Sequence, residues 1–187
     1  MTQVRSTDAH QSLIFLTGFM GSGKSTIGPI LANTLGYEFA DIDKLIERNA
    51  EKRIVEIFTT DGEERFREIE RTVLEQVADH DHMVISLGGG TIANEENFSF
   101  IRKHGIIVYL QLSPEEIIQR VRHRSDRPML KDEEGEMLPP GILEDRITEL
   151  LSRREPFYAR ADVIIPADKK RVGITVDEIV RRIRPML

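Results

Sequence analysis

Leu13-Ile-Phe-Leu-Thr17-Gly18-Phe-Met-Gly21-Ser22-Gly23-Lys24-Ser25-Thr26 is the stretch from which the fold follows. Five residues of strand character run into Gly18, and Gly-x-x-x-x-Gly-Lys-Ser completes the phosphate-loop (P-loop) pattern. The next residues, about Lys24 to Leu35, read as a helix that Gly36 can end with a left-handed cap. Strand, glycine loop and helix in that order are the context the pattern requires. Glycines let the backbone wind until successive N–H groups point inward at phosphate oxygens, and the helix N-terminus adds partial positive charge. Gly21, Ser22, Gly23, Lys24, Ser25 and Thr26 are therefore the candidate phosphate site, with Lys24 reaching the β- and γ-phosphates and Ser25 a ligand for Mg²⁺. The plain alternative is a Gly-rich turn carrying a solvent-facing lysine.

Outward from this unit, short β-like runs alternate with helical periods, the pattern of a parallel sheet covered by helices. Strands are expected at Leu13–Thr17, Tyr37–Asp41, Met83–Leu87, Ile106–Leu112 and Val163–Ile165. Between them, Asp43–Asn49 has helical character, and Asp61 with Glu64 has the form of a capping box before Phe66, Ile69, Val73, Leu74 and Val77. A helix near Glu95–Lys103 is closed by Gly105; Ser113-Pro114-Glu115-Glu116 opens another, with Ser113 as cap and Glu116 closing its box. Ile142, Leu143, Ile147, Leu150 and Leu151 mark a helix to Tyr158, and a capped helix is expected over Thr175–Arg184. Ser125–Gly141 loses periodicity and gathers charge, Gly and Pro; a loop of that length in a compact domain is usually functional or disordered.

Composition narrows the classes. With 187 residues, one domain over 1–187 is expected, long enough to bury its own core. Cys 0 removes disulfides, thiolate metal sites and cysteine nucleophiles, and fits a reducing compartment. A formal charge of −6 gives no support to nucleic-acid binding. No apolar run approaches the roughly 18 residues of a membrane span, and residues 1–11 lack the apolar segment of a signal peptide and read as a flexible arm. A cytoplasmic monomer without nucleic-acid or membrane partners is the expectation.

A phosphate cradle alone does not separate kinase, switch GTPase and motor ATPase. The Asn-Lys-x-Asp tetrapeptide of guanine-specific switches is absent, and Asp132-x-x-Gly135 lies in the charged loop rather than after a strand. Asp41 and Asp43 stand at the carboxyl end of a strand, where open α/β sheets place ligands, and alternation would turn one toward a metal and the other toward a second substrate. Read plainly, Asp43 only caps a helix. Arg67 and Glu70 share a helix face, which taken in isolation reads as an ordinary surface ion pair. Gly88-Gly89-Gly90 ends a strand, and three glycines in a row suit a backbone that something must approach closely. Arg120, Arg122, Arg124, Arg127 and Arg154 are ordinarily a solvated face, yet phosphoryl transfer needs cations that close on the phosphates. His80-Asp81-His82 reads as a solvated turn rather than a metal site.

GFMGSGKST, the Asp41-Ile42-Asp43 pair, FREIE, GGG, RPML and RREPFY, in that order over nearly the whole chain, resemble shikimate kinases, ATP-dependent small-molecule kinases of aromatic amino-acid synthesis. The resemblance implies an α/β fold with a five-stranded parallel sheet sandwiched by helices, a P-loop kinase fold similar to nucleoside monophosphate kinases, with a mobile lid at about 125–141. It implies that Lys24, Ser25 and Asp41 serve nucleotide and Mg²⁺, with Ser86 a weaker candidate near the metal. It implies that Asp43, Arg67, Gly88, Gly89, Gly90 and Arg154 hold shikimate, that Glu70 steadies Arg67, and that Arg127 contacts the phosphates from the lid. Lys24, Asp43 and Arg127 are the candidate catalytic residues. Arg120 is the first candidate for the adenine side and Arg124 the second, with Lys170 of the Lys169-Lys170-Arg171 run flanking the base.

The chain departs from the family pattern in two places. Pro29 stands in the first helix, where a basic residue is common, and its missing N–H is expected to alter the P-loop slightly. The lid segment is long and acidic. Two rivals remain open at this point: a sister kinase acting on gluconate or a nucleoside monophosphate, and a non-catalytic ATP-binding module. Arg67, Arg154 and the triple glycine oppose the first. Retention of Lys24, Asp41, Asp43, Arg67, Arg127 and Arg154 opposes the second.

Overall fold

A computed structural model describes residues 13–121, 130, 138–168 and 171–187. The elements are β1 (Leu13–Thr17), α1 (Lys24–Leu35), β2 (Glu38–Asp41), α2 (Ile42–Ala50), α3 (Ile54–Glu56), α4 (Gly62–Ala78), β3 (Met83–Ser86), α5 (Glu95–His104), β4 (Gly105–Gln111), α6 (Pro114–Val121), α7 (Pro140–Tyr158), β5 (Val163–Pro166) and α8 (Val172–Ile183). One turn of π-helix, Ile57–Asp61, links α3 to α4. The strands form one five-stranded sheet, order β2-β3-β1-β4-β5, with every pairing parallel. The fold is the expected P-loop kinase architecture.

Period-2 alternation divides β1 between two cores. Leu13 and Phe15 face α2, α4, α5, α6 and α7, packing with Ile46, Leu74, Ile101, Ile117 and Ile147. Ile14 and Leu16 face α1 and α8, packing with Leu31, Ala32, Val176 and Ile179. Both faces of the sheet are thus covered, as a parallel sheet demands. All five strands end on one edge, where β1, β2 and β3 release the P-loop, the Asp41/Asp43 segment and the triple glycine.

Several local expectations are corrected. The Asp61/Glu64 capping box does not form: Lys52 Nζ reaches both Asp61 oxygens, at 2.8 and 2.7 Å, and that ion pair takes the carboxylate away from the helix amides. The Lys52 ammonium holds the Asp61 carboxyl below the usual carboxylate range. At α6, Ser113 Oγ accepts the Glu116 N–H at 3.3 Å as expected, but the Glu116 side chain turns to Arg120 at 2.9 Å and the Ser113 N–H goes to Asp168, so the box is half made. Thr175 is buried within α8 and is no cap, because the helix starts three residues earlier, at Val172. Gly105 opens β4 with extended backbone, so it is also the first residue of the strand. Asp43 lies in the first turn of α2, and Asp41 is that helix's N-cap, so the two acids diverge because the chain switches from strand to helix between them. The aperiodic stretch ends two residues sooner, at Pro139, α7 beginning at Pro140. Pro29 does not interrupt α1. Within the segment expected to form a lid, Leu130 is buried in the larger core and its carbonyl accepts the Leu138 N–H at 3.0 Å; Arg122, Arg124, Arg127 and Asp132–Glu136 lie outside the described residues, as do residues 1–11, Lys169 and Lys170.

Candidate active site

The P-loop winds through three glycines with positive φ, Gly18 at 141°, Gly21 at 81° and Gly23 at 98°, a backbone path closed to ordinary side chains. Lys24 Nζ donates to Gly18 O at 2.7 Å, Phe19 O at 3.2 Å and Ser22 Oγ at 3.5 Å, so its ammonium sits over the loop it belongs to. Thr26 and Ile27 N–H groups both point to Gly23 O, at 3.0 and 2.8 Å, which locks the start of α1. Beside this loop a cleft of about 320 Å³ is lined by Gly21, Ser22, Gly23, Thr26, Arg120, Ala167 and Thr175 among others. Arg120 is fixed there by Glu116 at 2.9 Å and by the carbonyls of Gly21 at 3.1 Å and Ala167 at 3.3 Å.

Ser25 Oγ donates to Asp41 Oδ2 at 3.3 Å, while Asp41 Oδ1 accepts the Lys44 N–H at 3.4 Å. A hydroxyl and a carboxylate at the mouth of a phosphate loop are hard oxygen donors of the kind that hold Mg²⁺ together with phosphate and water, so the residues present fit that ion. Sheet register places Ser86 directly between Leu16 and Asp41. His80, Asp81 and His82 are exposed, with His82 edge-on to Tyr37 at 5.1 Å. Among the described residues no cluster of three or more His, Cys, Asp or Glu forms a metal site.

On the other side of the edge, α4 presents Arg67, which donates to Glu70 Oε2 at 2.8 Å and Glu63 Oε1 at 3.1 Å. Glu70 is only 1% exposed. Its second oxygen accepts Thr91 Oγ1 at 2.8 Å, and Asn97 Nδ2 approaches Oε2 at 3.4 Å while also binding Thr91 O at 2.9 Å. A buried carboxylate with three donors is a rigid anchor, not a surface pair. Burial works against the Arg67 charge, but the Glu70 and Glu63 carboxylates together outweigh it and keep the guanidinium above its usual value.

The triple glycine lies where four structural segments meet. A Cβ at Gly88 would come within 2.5 Å of Asp43 Oδ1 and 2.8 Å of Thr91 Oγ1. One at Gly89 would meet Arg154 Nη1 at 3.1 Å and both Gly18 O and Met20 N at 3.8 Å. Gly90 is next to the same guanidinium, and Arg154 also lies 5.5 Å from the centre of the Phe19 ring. Absent side chains let Asp43, Arg154 and the P-loop close on one backbone. Sequence reasoning placed Asp43, Gly88, Gly89, Gly90 and Arg154, and the structure brings them together; Arg67 joins them through Glu70 and Thr91. It missed Thr91, Asn97 and Tyr158. The quoted motifs GGG and RREPFY run up to or include Thr91 and Tyr158, but nothing in the sequence pairs them with residues so distant.

A phosphate loop with lysine, a hydroxyl–carboxylate pair, and an arginine set against the glycine run beside that loop define the class, a P-loop phosphotransferase. Comparison with known proteins makes this particular. The shikimate kinase family model matches residues 20–184. The chain is 52% identical over 174 residues to a shikimate kinase from Chlorobaculum parvum, covering 93% of each chain, and 50% identical to that of Chlorobaculum tepidum, covering 93% of this chain and 91% of the relative. Solved structures agree: a Bacteroides thetaiotaomicron shikimate kinase superposes with TM-score 0.84 at 36% identity (92% of this chain, 98% of that one), and an Acinetobacter baumannii shikimate kinase in complex with shikimate with TM-score 0.83 at 34% identity (94% of each). The chain belongs to the shikimate kinase family and is a kinase enzyme. Among the described residues no helix is long and apolar enough to cross a membrane.

Proposed function

We propose that the family reaction, transfer of the ATP γ-phosphoryl group to the 3-hydroxyl of shikimate, is carried here by the two halves of the edge just described. The observation that supports it most is the place of Gly89, where a Cβ would touch both Arg154 and the P-loop backbone, so that the acceptor and phosphate sites share a wall. Shikimate has one carboxylate and three hydroxyls. Guanidinium forks suit the carboxylate, so Arg67 and Arg154 hold that end, and Asp43 with the Gly88–Gly90 backbone holds hydroxyls.

Lys24 leaves its loop carbonyls for the β- and γ-phosphates, and Gly21, Gly23 and Ser25 offer N–H groups to the same oxygens, with Ser22 and Thr26 flanking them. Ser25 and Asp41 hold Mg²⁺, with Ser86 close by; the ion supplies charge neutralisation on the phosphates. Asp43 accepts the proton of the attacking hydroxyl, a smaller contribution than orientation and charge in a loose transition state. Arg120 borders the nucleoside side of the cleft, with Lys170 beyond it, and Arg127 brings a further cation when the 125–141 lid closes and water is excluded. The chain acts as a single kinase domain over 1–187, a cytoplasmic monomer without nucleic-acid or membrane partners.

The test is a coupled assay of ADP release with shikimate, gluconate and AMP offered separately. Turnover with shikimate at least a hundredfold above the others is expected; release with gluconate or AMP alone, or with none, overturns the reading. R154K should raise the shikimate KM about tenfold while moving the ATP KM less than twofold, because an ammonium cannot reproduce a fork on a carboxylate.

A further inference from the structure

The hydroxyl of Tyr158, on the last residue of α7, lies between two groups of the acceptor site. It donates to the Gly89 carbonyl at 2.5 Å across 69 residues of sequence, and it accepts a hydrogen bond from the Arg154 guanidinium one helical turn back. The ring is fully buried and stacks on Tyr109 with centroids 4.9 Å apart and planes 30° apart. Tyr109 in turn donates to Glu155 Oε2 at 2.8 Å, and Gln111 approaches the other Glu155 oxygen at 3.5 Å. The phenol is therefore held by the Tyr109 ring along its face and by Gly89 and Arg154 at its hydroxyl.

We propose that Tyr158 is a positioning residue of the acceptor site, its hydroxyl tying the Arg154 guanidinium to the Gly89 backbone so that the carboxylate-binding fork and the glycine wall keep one spacing. The inference rests on the reading that Arg154 and Gly89 face shikimate. Only a neutral hydroxyl can both accept from a cation and donate to a carbonyl. Burial pushes the Tyr158 phenol up to about 12, Arg154 opposing the shift, so the proton stays in place at every pH where the enzyme works. Without the hydroxyl, the half-buried Gly89 carbonyl loses its donor and the guanidinium loses the acceptor that aims it. Tyr158 acts through Arg154 and Gly89 and touches no reacting atom.

The experiment compares Y158F with Y109F, which removes a hydroxyl from the other ring of the same stack. Shikimate KM, ATP KM, calorimetric shikimate Kd and melting temperature are read for both, with R154K alongside. Y158F should raise the shikimate KM and Kd about tenfold and leave the ATP KM within twofold, whereas Y109F lowers the melting temperature and leaves the shikimate KM within twofold. The Y158F penalty should vanish for the methyl ester of shikimate, which offers Arg154 no carboxylate. A lowered melting temperature with unchanged shikimate KM and Kd in Y158F overturns the proposal. An unchanged shikimate KM in R154K overturns the site reading beneath it instead. In the unsubstituted enzyme, Tyr158 ring resonances should shift on adding shikimate while those of Tyr109 hold; no shift at Tyr158 also overturns the proposal.

Discussion

The two halves of the site are built by different means. The phosphate half is local and made mainly of backbone: the loop from Gly18 to Ser25 bends through positive-φ glycines, and distant side chains meet it at Ser25, through Asp41, and at the Gly21 carbonyl, through Arg120. The acceptor half is assembled from α2, α4, the end of β3 and α7, and its side chains are held by other side chains: Arg67 by Glu70, Glu70 by Thr91 and Asn97, Arg154 by Tyr158. The contrast teaches where each half is vulnerable. Substitution within the loop removes charge from the reaction directly, while the acceptor half can be damaged one layer away from the ligand.

The sharpest way to break this contrast is K24A. Lys24 is no member of either core, and it reaches carbonyls and a hydroxyl of its own loop, so the fold should survive. Removing a preorganised cation from developing phosphoryl charge should lower kcat by about 10²–10³-fold or more, with the calorimetric shikimate Kd within threefold of the unsubstituted enzyme. A large loss of shikimate affinity would show that the two halves are not separable.

Next in size is Gly88→Ala, aimed at the other half. Its added Cβ meets the Asp43 carboxylate at 2.5 Å and the Thr91 hydroxyl at 2.8 Å, so Asp43 must move. A displacement on the order of 1 Å of a group that aligns the nucleophile is worth up to about 10²-fold in rate. We expect kcat/KM for shikimate to fall by about 10–100-fold and the ATP Kd to hold. Equal losses for both ligands would mean that the glycine wall supports the P-loop as much as the acceptor.

These differences also explain what could be read in advance. Strand, glycine loop and helix are contiguous, so the P-loop was legible, and the alternation of short β-like runs with helical stretches along the chain foretold a sheet covered on both faces. The acceptor residues carrying charge or glycine were legible as types. Their supports were not: Thr91, Asn97 and Tyr158 find partners 21, 27 and 69 residues away, and side chains of that chemistry are common on any surface. Capping failed for a related reason. Asp61 has the right residue type at the right spacing, but a lysine nine residues back competes for its carboxylate, and an ion pair of that kind leaves no mark on local pattern. Arg127 and Lys170, read as phosphate and base contacts, fall outside the described residues.

The smallest expected effect tests how self-contained the phosphate half is. Pro29 removes the N–H that Ser25 O would accept in the second turn of α1, and a loop dependent on that bond would be distorted. The structure points the other way. Pro29 and Ser25 are both on the exposed side of α1, so the freed carbonyl meets water, while Ile27, Gly28, Leu31 and Ala32 keep the buried stripe continuous. The turn just before is closed by Thr26 and Ile27 on Gly23 O and does not involve residue 29. P29A should therefore act on stability rather than on nucleotide. Proline is about 3 kcal/mol poorer than alanine inside a helix, and its stiffening of the unfolded chain returns about 0.4–1 kcal/mol; relaxation already present around the exposed carbonyl lowers the remainder to about 1–2 kcal/mol. For a chain of this length that is a rise in Tm of about 2–8 °C, read by calorimetry, with the ATP KM within twofold. A change in ATP KM larger than the change in stability accounts for would show that the second turn of α1 shapes the loop, and that the phosphate half reaches further along the helix than its own glycines.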